Sequence, residues 1–418
     1  MPHGPGGAGN NTGRRSVFEP DSRVLQVQHL NAMAPRIAFV VNNAAFFVSH
    51  RLPIAVAARA AGFEVALFTG QAGSKILEAS ADERLAAEGI LHRRSAFKSA
   101  GTNPFLEIFG LMQLAFALWK FKPAVVHCAS PKGILYGGVT ARWVGCPSAV
   151  LAVSGMGYMF TGESSGLKSL LRRAYGVGVR FAYGHANKRV IVQNQDDLKA
   201  LIESRLASMD ELVLIPGSGV DLKDYVGVTG EPRERLVVLP ARMLKDKGVV
   251  EFAEAAELAR KVGCDWRFVL VGTADYQNPT AVPREQIQSW VDAGTLEWWG
   301  HREDMANVFA RASIVCLPSY REGMPKALLE AAAAGCAVVT TDVVGCREAV
   351  LDGQTGDLVP ARDSAALSRA LLALINEPER RASYARAAKR LATSRFGLEA
   401  VVQRTLSIYQ ELIHRAAD

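Results

Sequence analysis

The chain has 418 residues, of which 49% are apolar and 21% charged; this composition is typical of a folded globular protein and excludes a disordered one. Its length exceeds what a single core comfortably supports, so two domains are expected. The formal net charge of +7 suits a nucleotide diphosphate, an acidic lipid surface or a nucleic acid, and composition does not choose among these anions.

Residues 1–33 are rich in Gly, Asn and Pro and lack the apolar core of a signal peptide, so we predict a disordered tail. Translation starting at Met33 is an alternative interpretation. The six cysteines form no C-x-x-C pair, which predicts free thiols in a reducing compartment and therefore a cytoplasmic protein.

From Arg36 onward, short β-branched runs alternate with amphipathic segments. The predicted strands of this first part are "RIAFVV", "EVALFT", "AVVHCA", "SAVLAV", "KRVIVQN" and "LVLIP". The segment "SHRLPIAVAARAAG" is predicted as one helix, capped by Ser49 and ended by Gly62. Strands that alternate with helices predict a parallel sheet covered by helices on both faces.

The alternation restarts after a polar stretch, "VGVTGEPRER", with the strands "RLVVLP", "RFVLVG", "LEWWG", "SIVCLP", "AVVTTD" and "GDLVP". We therefore predict two Rossmann-like domains, residues 34–220 and 221–395. The last segment, 396–418, is an amphipathic helix with no strand after it, and we expect it to pack back on the first domain. Ligands of such sheets bind at the carboxyl ends of the strands, here in the cleft between the domains.

The predicted helix Phe105–Phe121 is unusually apolar. The apolar stretch Ile108–Pro123, which overlaps it, carries Gln113 and is too short to cross a bilayer. A second segment, 166–189, mixes arginines with aromatic residues. Both are open to two interpretations: core helices of the first domain, or surfaces that lie on an anionic membrane.

The stretch "YREGMPKALLEAAAAG" places Glu322 in a loop and Glu330 inside the helix that follows. Pro325 suits the first helical position, and the unpaired N–H groups there can bind a phosphate. Gly323 lets backbone approach a ligand closely. Glu330 can accept hydrogen bonds from a ribose diol, and Glu322 can reach a second polyol. The alternative is an ordinary helix with two surface glutamates.

In "PARMLKDKG", Arg242 and Lys247 follow the first strand of the second part and lie five residues apart. Two cations at a strand end can neutralise a diphosphate, the arginine through its fork and the lysine as a point charge. A solvated basic loop is the other interpretation of these residues.

Together these motifs resemble the retaining glycosyltransferases of family 4, which have the GT-B fold of two Rossmann-like domains facing across a cleft. "EGMPKALLE" resembles that family's E-x7-E motif, "ARMLKDKG" its Arg and Lys diphosphate motif, and "IPGSGVDLKDY" its interdomain segment. "FFVSHRLPIAVAARAAGFEV", "HCASPKG" and "SGMGYMFTG" resemble a bacterial subset that extends polyprenyl-diphosphate-linked sugars during surface-polysaccharide or glycan assembly.

The resemblance implies that Glu322 contacts the donor sugar, that Glu330 binds the ribose hydroxyls, and that Arg242 and Lys247 stabilise the departing nucleotide diphosphate. It favours UDP over GDP, and it implies retention through same-face attack by the acceptor hydroxyl. The donor-binding candidates are Glu330, Gly323, Met324, Pro325, Lys326, Asn278 and Arg347. The acceptor-binding candidates are Asn42, His50, His127, Lys132, Ser154 and Gly155.

Two features depart from the family. Asn42 and Asn43 replace a glycine-rich turn, and Ser154 and Gly155 stand where many relatives have a histidine. His50 and His127 are candidates for the missing role, although histidines at such positions are more often structural. The chain has no D-x-D motif, so we expect a metal-independent reaction without a cofactor.

The expected partners are a nucleotide-sugar donor, a lipid-linked saccharide acceptor and the inner face of the plasma membrane. Another nucleotide-sugar enzyme of the same fold, an epimerase or a cytosolic glucan-type synthase, remains an alternative. A dinucleotide-dependent oxidoreductase is disfavoured because "VVNNAAFFVSH" carries no G-x-G-x-x-G. A non-catalytic binding protein lacks its export signal, and nucleic-acid binding lacks a basic stripe with interleaved aromatics.

Overall fold

The computed structural model describes residues 34–71, 75–98, 103–155, 167–226, 233–274 and 278–418. The predicted tail, 1–33, lies outside the described residues. Two parallel sheets with flanking helices account for most of the described chain. We call residues 34–220 the first half and residues 221–395 the second half. The α/β class with two parallel sheets, predicted from the alternation of strands and helices, is confirmed.

The first sheet has seven parallel strands in the order β3-β2-β1-β4-β5-β6-β7. Its inner strands are almost wholly buried because β-branched residues there face helices on both sides. The strands are β1 Arg36–Val41, β2 Glu64–Gln71, β3 Leu91–Lys98, β4 Val125–Ala129, β5 Ser148–Ala152, β6 Lys188–Val192 and β7 Leu212–Leu214.

The second sheet has six parallel strands in the order β10-β9-β8-β11-β12-β13. In both sheets the strand order reverses beside the first strand, at β1/β4 and at β8/β11, which is where doubly wound sheets bind ligands. The strands are β8 Glu234–Pro240, β9 Arg267–Val271, β10 Glu297–Trp298, β11 Ala312–Leu317, β12 Ala337–Thr341 and β13 Gly356–Val359.

Helices cover both faces of each sheet. They are α1 Ala44–His50, α2 Leu52–Ala60, α3 Lys75–Ala87, α4 Pro104–Phe121, α5 Pro131–Trp143, α6 Leu167–Tyr183, α7 Gln195–Glu203, α8 Val249–Lys261, α9 Arg284–Asp292, α10 Met305–Arg311, α11 Lys326–Ala333, α12 Cys346–Ala349, α13 Ser364–Asn376, α14 Pro378–Arg395 and α15 Leu398–Ala417.

The predicted helix after β1 begins earlier than expected and is interrupted. α1 begins at Ala44 because the Asn43 side chain accepts a hydrogen bond from the Phe46 N–H at 2.8 Å. Ser49 therefore lies in the last turn of α1, and its predicted role as a cap is wrong. The break falls at Arg51, since Pro53 has no N–H with which to continue the helix.

The final helix, α15, packs against α2 and the inner strands of the first sheet. Its Tyr409 is fully buried beside Phe63 and His127 in the core of the first half. The chain thus crosses between the halves twice. The two crossings lie side by side, because Val220 and Gly397 form a parallel bridge.

Helix α4 lies against β3 and α5, with Gly110, Leu114 and Leu118 buried on its inner side. Its length and composition would allow it to cross a membrane, which differs from the expectation that it is too short. Only 22% of it is buried. Its outer face exposes seven large apolar side chains: Phe105, Leu106, Ile108, Phe109, Met112, Phe116 and Trp119.

Candidate active site

Two of the predicted functional residues, Asn42 and Arg242, follow strands at which the strand order reverses. Ser130 and Ser319, which follow the neighbouring strands, were not predicted. In the first half, Asn42 follows β1 and Ser130 follows β4. In the second half, Arg242 follows β8 and Ser319 lies just beyond β11. Parallel strands bring their carboxyl ends to one edge of a sheet, so the loops of each half lie together at that edge.

Lys247 and Glu322 form the charged centre of the second half. The Lys247 Nζ lies 2.5 Å from Glu322 Oε1, and the Ser319 hydroxyl donates to the same oxygen at 2.7 Å. Both charged side chains are mostly buried, with 19% and 13% exposed. Gly248, at φ 72°, permits this arrangement, because a Cβ there would lie 2.2 Å from the Pro318 carbonyl oxygen. Ser319 was not among the predicted site residues.

Helix α11 begins at Lys326, with Pro325 as its N-cap residue rather than its first helical residue. The Lys326 Nζ lies 3.3 Å from Glu330 Oε1 one turn later and donates to the Ser49 carbonyl oxygen of the first half at 3.1 Å. Burial raises the pKa of Glu330, and Lys326 partly opposes that shift. The Tyr225 hydroxyl also bonds Glu330, a partner that the sequence reasoning missed.

At Gly323 the backbone of the second half comes close to that of the first half. A Cβ at this position would lie 2.2 Å from the Ser154 carbonyl oxygen, so only glycine fits. Gly155, at φ 121°, faces the backbone of Gly323 in turn. Ser154 and Gly155 therefore lie beside the Glu322 loop, as expected for cleft residues.

The neighbouring Met324 points away from the cleft. Its side chain is 7% exposed and packs beside Gly217 of the segment that joins the halves. Of this residue, only the backbone is placed to meet a ligand at the start of α11.

Two residues of the first half that the sequence reasoning missed hold the Glu322 loop. The Asn194 Nδ2 donates to the Gly323 carbonyl oxygen at 2.7 Å. The fully buried Asp197 accepts from Arg321 Nη2 at 3.0 Å. An Asn followed by two acidic residues at the start of α7 was the available signal, but it predicts a helix cap and not a partner in another domain.

The other donor candidates are held by local contacts. Arg242 is exposed and lies two residues after the end of β8. The Arg347 guanidinium bonds Asp342 through Nε at 2.9 Å and approaches Asp196 of the first half at 3.4 Å. The Asn278 Oδ1 accepts from the N–H and the hydroxyl of Thr280, at 3.0 and 2.9 Å. This carboxamide oxygen therefore fixes a turn.

Asn42 replaces the glycine-rich turn with a side-chain network. Its Oδ1 accepts from the Ser130 hydroxyl at 2.6 Å and from the Gly133 N–H at 3.2 Å. Ser130 has φ 71° and ψ 157°, a conformation that is costly for a residue with a side chain. The network therefore fixes the start of α5 against the end of β1.

Two further acceptor candidates, His127 and Lys132, are engaged inside the first half. His127 is 1% exposed, stacks on Phe39 and bonds the Tyr409 hydroxyl at 2.6 Å. Because α15 covers it, its predicted contact with an acceptor is wrong. Lys132 donates to the Lys98 carbonyl oxygen at 2.7 Å and pairs with Glu107 at 3.0 Å, so its charge braces α5 against α4.

His50 lies near the cleft, next to Lys326. Its ring stacks on Phe46 at 4.6 Å, and Nδ1 lies 3.2 Å from the Phe46 carbonyl oxygen. Burial, with Arg51 and Lys326 adding to it, lowers the pKa of His50 to about 3. The imidazole is therefore neutral at physiological pH.

Among the described residues, no group of three His, Cys, Asp or Glu side chains is placed to hold a metal ion. The described cysteines are all free thiols.

Two family models match the chain, one in each half. Residues 36–193 match the model described as glycosyl transferase 4-like, and residues 234–377 match the one described as glycosyl transferases group 1. The second match contains Arg242, Lys247, Glu322 and Glu330.

Curated relatives extend over both halves. The N,N'-diacetylbacillosaminyl-diphospho-undecaprenol alpha-1,3-N-acetylgalactosaminyltransferase of Campylobacter jejuni is 27% identical over 333 residues, covering 76% of this chain and 85% of the relative. The UDP-Gal:alpha-D-GlcNAc-diphosphoundecaprenol alpha-1,3-galactosyltransferase of Escherichia coli is 26% identical over 280 residues, covering 64% and 70%.

Solved structures share the fold. HepE from Anabaena, solved in complex with UDP, superposes with a TM-score of 0.68 at 18% identity, covering 90% of this chain and all of that one. Sucrose-phosphate synthase from Thermosynechococcus elongatus gives a TM-score of 0.69 at 17% identity, covering 91% of this chain. The fold is GT-B, and the chain belongs to the group 1, family-4-like glycosyltransferases.

Proposed function

We propose that this glycosyltransferase moves a sugar from a UDP-sugar, with retention, to a hydroxyl of a polyprenyl-diphosphate-linked saccharide. The observation that carries the proposal is the Lys247–Glu322 pair beside the start of α11, with Glu330 one turn further on. The Campylobacter and Escherichia relatives are named for undecaprenol-diphosphate-linked acceptors, which supports this acceptor class.

The proposed chemistry follows from where negative charge develops. The bond between the sugar C1 and the leaving phosphate oxygen breaks, and the acceptor oxygen forms its bond to C1 on the same face. The acceptor proton passes to the departing phosphate. Lys247, Arg242 and the N–H groups at the start of α11 would stabilise that phosphate, because preorganised positive groups act where the charge appears.

A thermal-shift experiment tests the nucleotide site. UDP is expected to raise the melting temperature of the wild type, since a ligand that binds only the folded state stabilises it. The Arg242→Ala variant should lose the rise in melting temperature caused by UDP. GDP and NAD should raise the melting temperature of the wild type little or not at all. Stabilisation by GDP alone would mean that the donor is a GDP-sugar and not a UDP-sugar. Stabilisation by NAD alone, or by none of the three, would overturn the proposal.

The acceptor is tested separately. Incubation of the enzyme with radiolabelled UDP-sugars and a short polyprenyl-diphosphate-linked saccharide should move label into the lipid fraction. Nuclear magnetic resonance of the product would report the anomeric configuration and hence retention. Release of a free epimerised sugar without transfer would favour the epimerase alternative.

The proposed reaction uses protein cations in place of a metal. Activity is therefore expected to survive dialysis against EDTA. A loss of activity that returns only on addition of a divalent cation would contradict this.

We also propose that the first half rests on the cytoplasmic leaflet of the membrane through α4. Along this helix, Phe105, Phe109, Met112, Phe116 and Trp119 recur at spacings of three and four residues, so they share one face, and each is more than half exposed. Lys120 and Lys122 follow at its end. An apolar face with tryptophan and flanking lysines suits the interface of an anionic bilayer.

Liposome flotation tests this surface. The wild type should float with anionic liposomes at low salt, and Phe109→Glu combined with Met112→Glu should remain at the bottom. A matched control is Val262→Glu, because Val262 is 70% exposed but lies on the second half. If the wild type stays at the bottom, or if the α4 variant floats as well as the wild type, the proposal is wrong.

A further inference from the structure

The loop that carries Glu322 is fastened from the opposite half of the protein. Asn194, which lies two residues after β6 and caps α7, is 1% exposed. Its Nδ2 donates to the Gly323 carbonyl oxygen at 2.7 Å and to Asp197 Oδ2 at 2.9 Å, while its Oδ1 accepts from the Asp197 N–H at 2.7 Å. The carboxamide therefore uses both its oxygen and its nitrogen in fixed contacts.

Asp197 completes the connection. Its side chain is fully buried in the first turn of α7, where the helix dipole favours a negative charge. Its Oδ1 accepts from Arg321 Nη2 at 3.0 Å. A buried carboxylate is stabilised by its partners far more than an exposed one is. Removing either member of this ion pair therefore destabilises the folded protein.

These contacts bracket Glu322 in the chain. Arg321 and Gly323 are the residues on either side of Glu322. Arg321 is held through its side chain, and Gly323 is held through its carbonyl oxygen. The Glu322 carboxylate is then aligned by Lys247 and Ser319 within the second half. Its position thus depends on groups from both halves.

We propose that Asn194 and Asp197 are positioning residues for sugar transfer: from the acceptor-side half they fix the backbone around Glu322 when the halves are closed. The inference rests on the proposed function of Glu322. Arg242, Lys247 and Glu330, the side chains proposed to bind the nucleotide, all lie in the second half, so we expect nucleotide binding to persist when this connection is lost. Transfer does require it, because the donor sugar must meet the acceptor in a fixed geometry.

The nearby Asp196–Arg347 pair is a weaker connection. Its atoms lie 3.4 Å apart, and the two side chains are 34% and 42% exposed. Solvent screens such pairs, and they contribute little. The buried pair is therefore the one to test.

Kinetics separate positioning from binding. In Asp197→Asn we expect kcat to fall about tenfold or more, since small misplacements near reacting atoms are costly, while KM for the donor and the UDP-induced thermal shift stay within about twofold of wild type. Arg321→Gln removes the charge of the exposed partner of Asp197. It therefore tests the same ion pair if Asp197→Asn impairs folding. Because the two act as one unit, the double variant should be no slower than the slower single variant.

Hydrogen exchange supplies a readout that needs no substrate. In Asp197→Asn, the amides from Tyr320 to Met324 should exchange faster while those of α11 are unchanged. Glu203→Gln, at the exposed far end of α7, is the matched control and should match the wild type in both experiments.

Unchanged loop exchange, kcat within about twofold of wild type, or multiplicative effects in the double variant would each overturn the inference. If the wild type neither binds UDP nor transfers sugar, the proposed function fails on its own. The exchange experiment still decides whether Asp197 holds the loop.

Discussion

Lys247 is the residue whose charge the proposed reaction needs most. Lys247→Met keeps most of the side-chain volume but removes the ammonium group that bonds Glu322. We expect kcat to fall about a hundredfold, because removing one preorganised group that stabilises developing charge typically has this effect. Steady-state transfer assays measure it.

Lys245→Met is the control for this change, since Lys245 is exposed on the same short helical turn. It should leave kcat near the wild-type value. Equal losses in the two variants would mean that general positive charge matters and not the contact with Glu322.

Glu330 makes stability depend on pH. Burial raises its pKa above the ordinary value of 4.5, so the folded state binds this proton more tightly than the unfolded state. The resulting stabilisation is fully present below the unfolded pKa and is lost as pH rises through the folded pKa. Relative to wild type, Glu330→Gln should therefore gain unfolding free energy as the pH rises above the ordinary glutamate pKa of 4.5.

Urea denaturation at several pH values measures this difference. Glu399→Gln changes an exposed glutamate in α15, and its difference from wild type should not grow over the same range. A gain for Glu330→Gln no larger than that of this control would contradict the prediction.

At the scale of elements, α15 is held to the first sheet by a buried polar contact. Tyr409→Phe leaves the packing in place but removes the hydroxyl that bonds His127 at 2.6 Å. An unsatisfied polar atom in a core costs about 1–3 kcal/mol. We expect the unfolding free energy to drop by that amount in chemical denaturation, whereas Ser407→Ala, on the exposed side of α15, should have almost no effect.

Periodicity predicted most elements, and the exceptions have physical reasons. β3 was missed because only Ser95 and Phe97 of its eight residues are buried, so an edge strand carries little apolar signal. The break at Arg51 was missed because Pro53 was read as part of one continuous helix. Local sequence patterns indicate which residues are buried more clearly than they indicate where a helix is interrupted.

At the scale of the whole molecule, Gly323 sets how closely the halves approach. In Gly323→Ala the new methyl group would lie 2.2 Å from the Ser154 carbonyl oxygen, so the halves must separate. We expect a larger radius of gyration in small-angle X-ray scattering and a loss of transfer. Gly176→Ala, where a Cβ meets nothing within 4 Å, should leave both unchanged; a compact, active Gly323→Ala would show that the loop relaxes instead.

The sequence predicted residues that work within one half better than those that work between halves. Lys247 and Glu322 were identified by motif and lie in contact. Asn194 and Asp197 were not identified, because their partner is separated from them by more than a hundred residues. His127 was placed at the cleft because no local signal shows that α15 covers it.

The return of α15 has a consequence for synthesis on the ribosome. All strands of the second sheet are available once Val359 has emerged. His127, in contrast, can form its hydrogen bond only after Tyr409, 282 residues later, has emerged. A nascent chain that has emerged from the ribosome up to residue 397, without α15, should therefore resist protease in its second half. Its first half should still be cleaved. The part of this enzyme that is made first would be the last to reach its native state.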